Sequence, residues 1–211
     1  MDPILEIPNR PLQSLIDKFK NIPSSIISDV SGRTNVLNNK IKPVWKGAKL
    51  CGPAFTVYTE AGDNLTCHKA IELAKKGDII IINAESFTDA SVWGELMSIS
   101  SMYKGIGGII IDGACRDIDE ISKLQFPVFA KAVSPRACLK NKIGTINHPI
   151  ICNGVTISHG DILVGDTDGV VCIPQAESKT ILAKALKKLE KENILKQKLN
   201  QGYFILDLLK K

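Results

Sequence analysis

Apolar positions along this chain fall into short runs separated by stripes of helical period. Lys49-Leu-Cys-Gly-Pro-Ala-Phe-Thr-Val-Tyr-Thr59 predicts a strand over 49–59. Asp78–Asn83, built on four consecutive isoleucines, predicts a second, and the Ile109–Ile111 run a third over 108–112. Between them, Asp63 or Asn64 is the expected cap of a helix running to about Lys76 and stopped by Gly77. Ser91–Lys104 reads as a helix ended by Gly105. Strand–helix–strand alternation of this kind argues for parallel βαβ units. Ahead of it, residues 11–32 predict two short helices split by Pro23, with Ser24 or Ser25 as a cap.

After Pro127 the pattern changes. Residues 127–133, 149–158 and 161–174 read as short strands with Gly and Asp turns, as in a mixed or antiparallel layer. Gly165-Asp166-Thr167-Asp168-Gly169 reads as a hairpin turn rather than a metal loop. A last helix is expected over about 177–201. No repeat or linker interrupts the chain, so one α/β domain spanning 1–211 is expected, with β layers inside and helices outside.

Charge changes the picture only at the end. The net charge is +5, yet Lys179 to Lys211 holds nine lysines against three acids. Leu182, Leu186, Leu189 and Leu199 interleave with those lysines at helical spacing, which fits the solvated face of an amphipathic helix. Arginines and interleaved aromatics are missing, so specific nucleic-acid binding is not expected. The N-terminus lacks a basic segment followed by an apolar one, and no run approaches a membrane span. The six cysteines are scattered and never form C-x-x-C. Buried free thiols in a reducing cytoplasm are the expected state.

Candidate chemistry concentrates after the third strand. Gly113-Ala-Cys-Arg116-Asp117 places a cation and an anion side by side at the carboxyl edge of a sheet, where open α/β folds bind ligands. Only four of the basic residues are arginines, against twenty-three lysines. An arginine here suits planar recognition of a carboxylate. Glu95 lies near the start of the preceding helix, and one helix, a turn and a strand bring it back to the same edge. The amides of Gly94, Glu95, Leu96 and Met97 would be donors for an anion. Each residue also has a structural reading. Asp117 can cap Ile118–Gln125, Arg116 can pair with Asp117 or Glu120, and Glu95 can favour a helix dipole. The residues alone leave both readings open. Asp117 can equally hold Mg²⁺ through oxygen. His68, His148 and His159 are isolated and read as surface or satisfied side chains.

Taken together, these segments resemble the RraA-like proteins, a family that includes the class II 4-hydroxy-4-methyl-2-oxoglutarate (HMG) aldolases. The motif-bearing stretches are Gly94-Glu-Leu96 and Gly113–Asp117, with Glu95, Arg116 and Asp117 in an acid–x₂₀–Arg–Asp spacing. Cys51–Val57, Gly62–Leu65, Val133–Arg136 and Asn153–Pro174 match as well. The resemblance implies a swivelling β/β/α-type layered sandwich assembled as a homotrimer or hexamer, with sites between subunits. It implies that Arg116 binds the carboxylate and keto oxygen of a small 2-oxo acid. Asp117 would ligate Mg²⁺ or Mn²⁺, and the Gly94–Met97 amides would bind the carboxylate. Glu95 replaces the family's usual aspartate and would position a water that moves protons. Glu192, from a neighbouring subunit's C-terminal helix, would approach the metal through water.

The expected function is therefore a metal-dependent lyase that cleaves 4-hydroxy-2-oxo acids to pyruvate and decarboxylates oxaloacetate. The alternative within the family is a regulator that docks on an RNA-degrading enzyme. A methyltransferase ranks last, because no glycine-rich strand-to-helix loop is present for S-adenosylmethionine.

Overall fold

A computed structural model describes residues 2–6, 10–152 and 154–209. In chain order the elements are α1 (Gln13–Phe19), α2 (Ser24–Val30), β1 (Lys42–Pro43), β2 (Leu50–Tyr58), α3 (Leu65–Leu73), β3 (Ile79–Asn83), β4 (Ser91–Trp93), α4 (Glu95–Lys104) and β5 (Gly108–Cys115). They continue with α5 (Ile118–Leu124), β6 (Val128–Val133), β7 (Thr145–Ile146), β8 (Ile150–Cys152), β9 (Val155–Ile157), β10 (Ile162–Asp166), β11 (Gly169–Ile173), α6 (Ser178–Asn200) and α7 (Ile205–Leu209). The main sheet runs β1-β6-β5-β3-β2-β10-β11, with β4 on β5 and β7 on β2. Its centre is parallel (β6, β5, β3, β2, and β4 beside β5), and its flanks are antiparallel. At the far edge, Leu37 N–H donates to Val170 O at 2.9 Å and Cys172 N–H to Asn35 O at 2.9 Å. That segment leads straight into β1, so the sheet nearly closes on itself.

Alternation along the strands sorts side chains into layers. Ile80, Ile82, Ile109 and Ile111 face outward under α3, α4 and α5. Ile79, Ile81, Ile110 and Phe129 face inward against Leu163, Val170 and Cys172. On the other side of the β10–β11 hairpin, Ile162, Val164, Val171 and Ile173 pack on Phe19, Ile27, Ile181 and Leu182 from α1, α2 and α6. Each fully buried isoleucine contributes roughly 1.5–3 kcal/mol. The result is a mixed α/β domain of helices, two β layers and helices, the layered sandwich expected. The six cysteines are free; five are buried and Cys51 is half-buried.

Several expectations need correction. Ser91–Trp93 is a strand, not the first turn of a helix, because Ser91 pairs with Ala114 and its N–H donates to Arg136 O at 2.8 Å. The mixed layer expected after Pro127 does hold: β6 is parallel to β5 and antiparallel to β1, and the two later hairpins are antiparallel. Neither Ser24 nor Ser25 caps α2. Asp166 does so from the end of β10, accepting from Ser24 N–H at 2.8 Å and Ser24 Oγ–H at 2.7 Å. At α3, Asn64 occupies the cap position without a side-chain cap bond. The Asp63 carboxylate takes Leu65 N–H instead, at 2.9 Å. In α6 the buried stripe is Ile181, Leu182 and Ala185, while Leu186 and Leu199 are exposed. Only the first turns of that helix pack on the body.

One ion pair pins the N-terminal segment. Arg10 donates through Nε and a terminal nitrogen to both oxygens of Asp78, each at 2.7 Å, and the Asp78 side chain is fully buried. Removing the arginine strands a buried carboxylate. Arg10→Ala is expected to lower stability by about 3 kcal/mol, read as a reduced urea midpoint with unchanged slope. A loss below about 0.5 kcal/mol would show the pair to be energetically idle.

Candidate active site

Arg116 and Asp117 follow β5 directly, at the carboxyl edge of the parallel strands. Arg116 N–H is tied to Trp93 O at 3.0 Å, which registers the end of β5 against β4. Asp117 adopts a left-handed backbone, φ 59° and ψ 37°, which aspartate tolerates better than most residues. It sits at the cap position of α5 but makes no side-chain cap bond. Instead its Oδ2 accepts Glu95 N–H at 3.1 Å and lies 3.5 Å from Arg116 Nε. The structural pairing of Arg116 with Glu120 does not occur, because Glu120 pairs with Lys123 at 2.6 Å. Both side chains remain open to solvent, Arg116 at 43% and Asp117 at 39%.

Gly94 makes this approach possible. A Cβ there would lie 2.5 Å from Asp117 Oδ2 and 3.3 Å from the Arg116 side chain. Its carbonyl is fixed by Ser98, whose Oγ–H donates to it at 3.0 Å while accepting from Trp93 Nε1–H at 3.0 Å. Because Glu95 N–H is committed to Asp117, the expected four-amide anion site loses one donor. The remaining first-turn amides, those of Leu96 and Met97, have no acceptor within the helix. The Glu95 side chain is half-buried and lies near α5. Lys123 there is held protonated above its usual range by Glu120 first, then more weakly by Asp119 and Glu95. Gly94→Ala is expected to cut activity at this site at least tenfold with little change in melting temperature. Full activity in that variant would mean that the Arg116–Asp117 geometry is not used.

The cleft measures about 140 Å³ and joins Gly94, Glu95, Leu96, Met97, Arg116 and Asp117 to a second wall. That wall comprises Asn64, the cap residue of α3, His68 from α3, and Cys138 and Lys140 from the segment after β6. The residue reading missed all four as site residues. His68, expected to be a surface or satisfied side chain, has a buried Nε2 with no partner, and Asn64 Oδ1 is likewise buried and unpartnered. Their i, i+4 spacing at a helix start was the available signal. His159 is also not satisfied: both ring nitrogens are buried without partners, and the ring packs edge-on to Phe55. The Cys138 thiol is pushed up by burial first and by Asp63 next, so it stays protonated at neutral pH.

Among the described residues, no group of three or more His, Cys, Asp or Glu is assembled to hold a metal. Asp117 supplies one open carboxylate edge. A lone carboxylate completed by waters and substrate oxygens is a donor set that Mg²⁺ accepts and soft metals do not favour. Glu192 is not in this cleft. It pairs with Lys188 at 3.5 Å, which in turn pairs with Asp29 at 2.9 Å.

A layered α/β sandwich with an Arg–Asp pair at a parallel-strand edge defines the class of protein, and sequence comparison gives the family. The Aldolase/RraA model of the RraA-like family matches residues 14–172, and the chain belongs to that family. A protein of Halalkalibacterium halodurans with the provisional name 4-hydroxy-4-methyl-2-oxoglutarate aldolase is 41% identical over 174 residues, 82% of each chain. A solved structure of an uncharacterized Pseudomonas syringae protein superposes with a TM-score of 0.86 at 24% identity, covering 95% of this chain and 98% of that one. Streptomyces coelicolor RraAS2, described as an unusual member of the RNase ES inhibitor RraA family, superposes with a TM-score of 0.81 at 20% identity, covering 90% and 99%. Among the described residues, no helix is long and apolar enough to cross a membrane.

Proposed function

We propose that this chain is a divalent-metal-dependent carbon–carbon lyase that cleaves 4-hydroxy-2-oxo acids to pyruvate and decarboxylates oxaloacetate. The observation that carries the reading is the Arg116–Asp117 pair, held against the Glu95 amide in a small cleft at the strand edge. Mg²⁺ or Mn²⁺ held by Asp117 would supply Lewis-acid polarisation of the oxo acid. Arg116 binds the keto oxygen through its planar fork and stabilises the negative charge that develops there. The Leu96 and Met97 amides, at the positive end of α4, receive the carboxylate. Glu95 orients a water that exchanges protons with the bound acid. No Schiff-base lysine is required.

The assembly proposed is a trimer or a multiple of three, in which the exposed part of α6 reaches a neighbouring cleft and brings Glu192 to it. Sedimentation showing a monomer at micromolar concentration would reject that role for Glu192. The C-terminal lysines are dispersed and interrupted by Glu190 and Glu192. Specific nucleic-acid binding is not part of the reading.

The test is pyruvate release from a panel of 4-hydroxy-2-oxo acids and from oxaloacetate, with Mg²⁺ or Mn²⁺ and then with EDTA. Metal-dependent release supports the lyase. Its absence on every substrate moves the protein to the family's other reading, a regulator docking on an RNA-degrading enzyme, which the described family of RraAS2 keeps in view.

A further inference from the structure

We propose that His68 takes the 4-hydroxyl proton in aldol cleavage, from the wall of the cleft opposite Arg116 and Asp117. The inference rests on the aldolase reading above and assigns one of its two proton transfers. His68 stands in the first turn of α3, four residues after the cap residue Asn64, whose carbonyl accepts His68 N–H at 3.2 Å, and both residues line the cleft. Asn64 is anchored by its amide nitrogen, which donates to Val92 O at 3.1 Å. That leaves Asn64 Oδ1 and His68 Nε2 buried with no partner. A buried polar atom left unpaired is costly, and folded proteins keep few. Two such atoms on neighbouring residues of one small cleft's wall suit a group that both donates and accepts, which a hydroxyl does.

The wall that carries them is built rigidly. The buried Asp63 carboxylate accepts from Leu65 N–H at 2.9 Å, Asn141 N–H at 2.7 Å and Lys142 N–H at 3.2 Å. Asn64 N–H donates to Leu139 O at 3.0 Å, and Leu139 N–H to Gly62 O at 2.8 Å. Cys138 and Lys140 are thereby fixed beside α3. Burial first, then the Lys140 charge, lowers the pKa of His68, which keeps the imidazole unprotonated at neutral pH and open to accept a proton. Arg116 and the α4 amides anchor the oxo-acid end on one wall. In a cleft of about 140 Å³, the hydroxyl carbon, two bonds from the keto carbon, then falls toward the other wall.

The step balances. The O–H proton passes to His68 Nε2 as the C3–C4 bond breaks. The oxygen becomes a carbonyl, and the bond's electron pair forms the pyruvate enolate. The water beside Glu95 protonates the enolate, and the hydroxide it leaves is neutralised by the proton that the imidazolium releases through solvent. Oxaloacetate decarboxylation uses only the second transfer, since no hydroxyl proton is removed.

The experiment measures retro-aldol cleavage of 4-hydroxy-4-methyl-2-oxoglutarate and decarboxylation of oxaloacetate on the same Mn²⁺-loaded preparations. For His68→Gln, the ratio of the two rates is expected to fall at least 30-fold, within the range a general base contributes. A ratio within threefold of wild type overturns the inference, whether both rates persist or both fall together. If His68→Gln shows neither activity, His68→Ala with added imidazole decides. Restored retro-aldol cleavage supports the base, and no restoration rejects it. Failure of the aldolase reading shows up elsewhere, as wild-type protein that forms no pyruvate from either substrate.

Discussion

Replacing Arg116 with lysine is expected to lower kcat/KM for pyruvate release about 30- to 1,000-fold, or about 2–4 kcal/mol of transition-state stabilisation. The charge survives but the planar fork does not, and an ammonium cannot meet two oxygens in one plane. The fold should be unaffected, because the side chain is 43% exposed and its link to Asp117 spans 3.5 Å, too long for a firm hydrogen bond. The backbone anchor from Arg116 N–H to Trp93 O does not depend on the side chain. Steady-state kinetics on oxaloacetate and on an aldol substrate read the effect. A variant within twofold of wild type on both would assign Arg116 to a surface ion pair.

Asp117→Asn is expected to remove metal-dependent activity, by at least about 100-fold, with the melting temperature nearly unchanged. Asparagine tolerates the left-handed backbone that this position requires, so strain does not confuse the result. It can still accept the Glu95 N–H bond, now 3.1 Å from Asp117 Oδ2. What it loses is the negative charge that a hard cation needs. A second readout is independent of turnover: Mn²⁺ binding by titration calorimetry should weaken at least tenfold. Wild-type affinity for Mn²⁺ in this variant would sink the ligand role of Asp117, whatever happens to the rate.

Much of the fold was legible because its signals are local. Four consecutive isoleucines at 79–82 have nowhere to go but a strand buried on both faces. Gly105 ends α4 in a left-handed conformation, and Thr167-Asp168 turns the β10–β11 hairpin, as residue chemistry requires. Residues 91–93 form a strand where a helical turn is expected, because nothing in Ser-Val-Trp by itself separates the two. Pairing with Ala114 and Cys115, more than twenty positions away, makes that choice.

The site divides along the same line. The sequence by itself determined that an arginine and an aspartate sit side by side after a buried strand, with glycine-led amides one helix earlier. That is a matter of order along the chain. Only the tertiary structure decided how those groups are spent. Asp117 takes the Glu95 amide instead of capping its own helix, and Asp166 caps a helix 142 residues distant in sequence. His68 keeps a buried Nε2 without a partner and shares a cleft wall with Cys138 and Lys140. Hydrogen-bond satisfaction depends on which distant segments arrive within about 3 Å, and a pattern of residue types along one chain carries no record of that arrival.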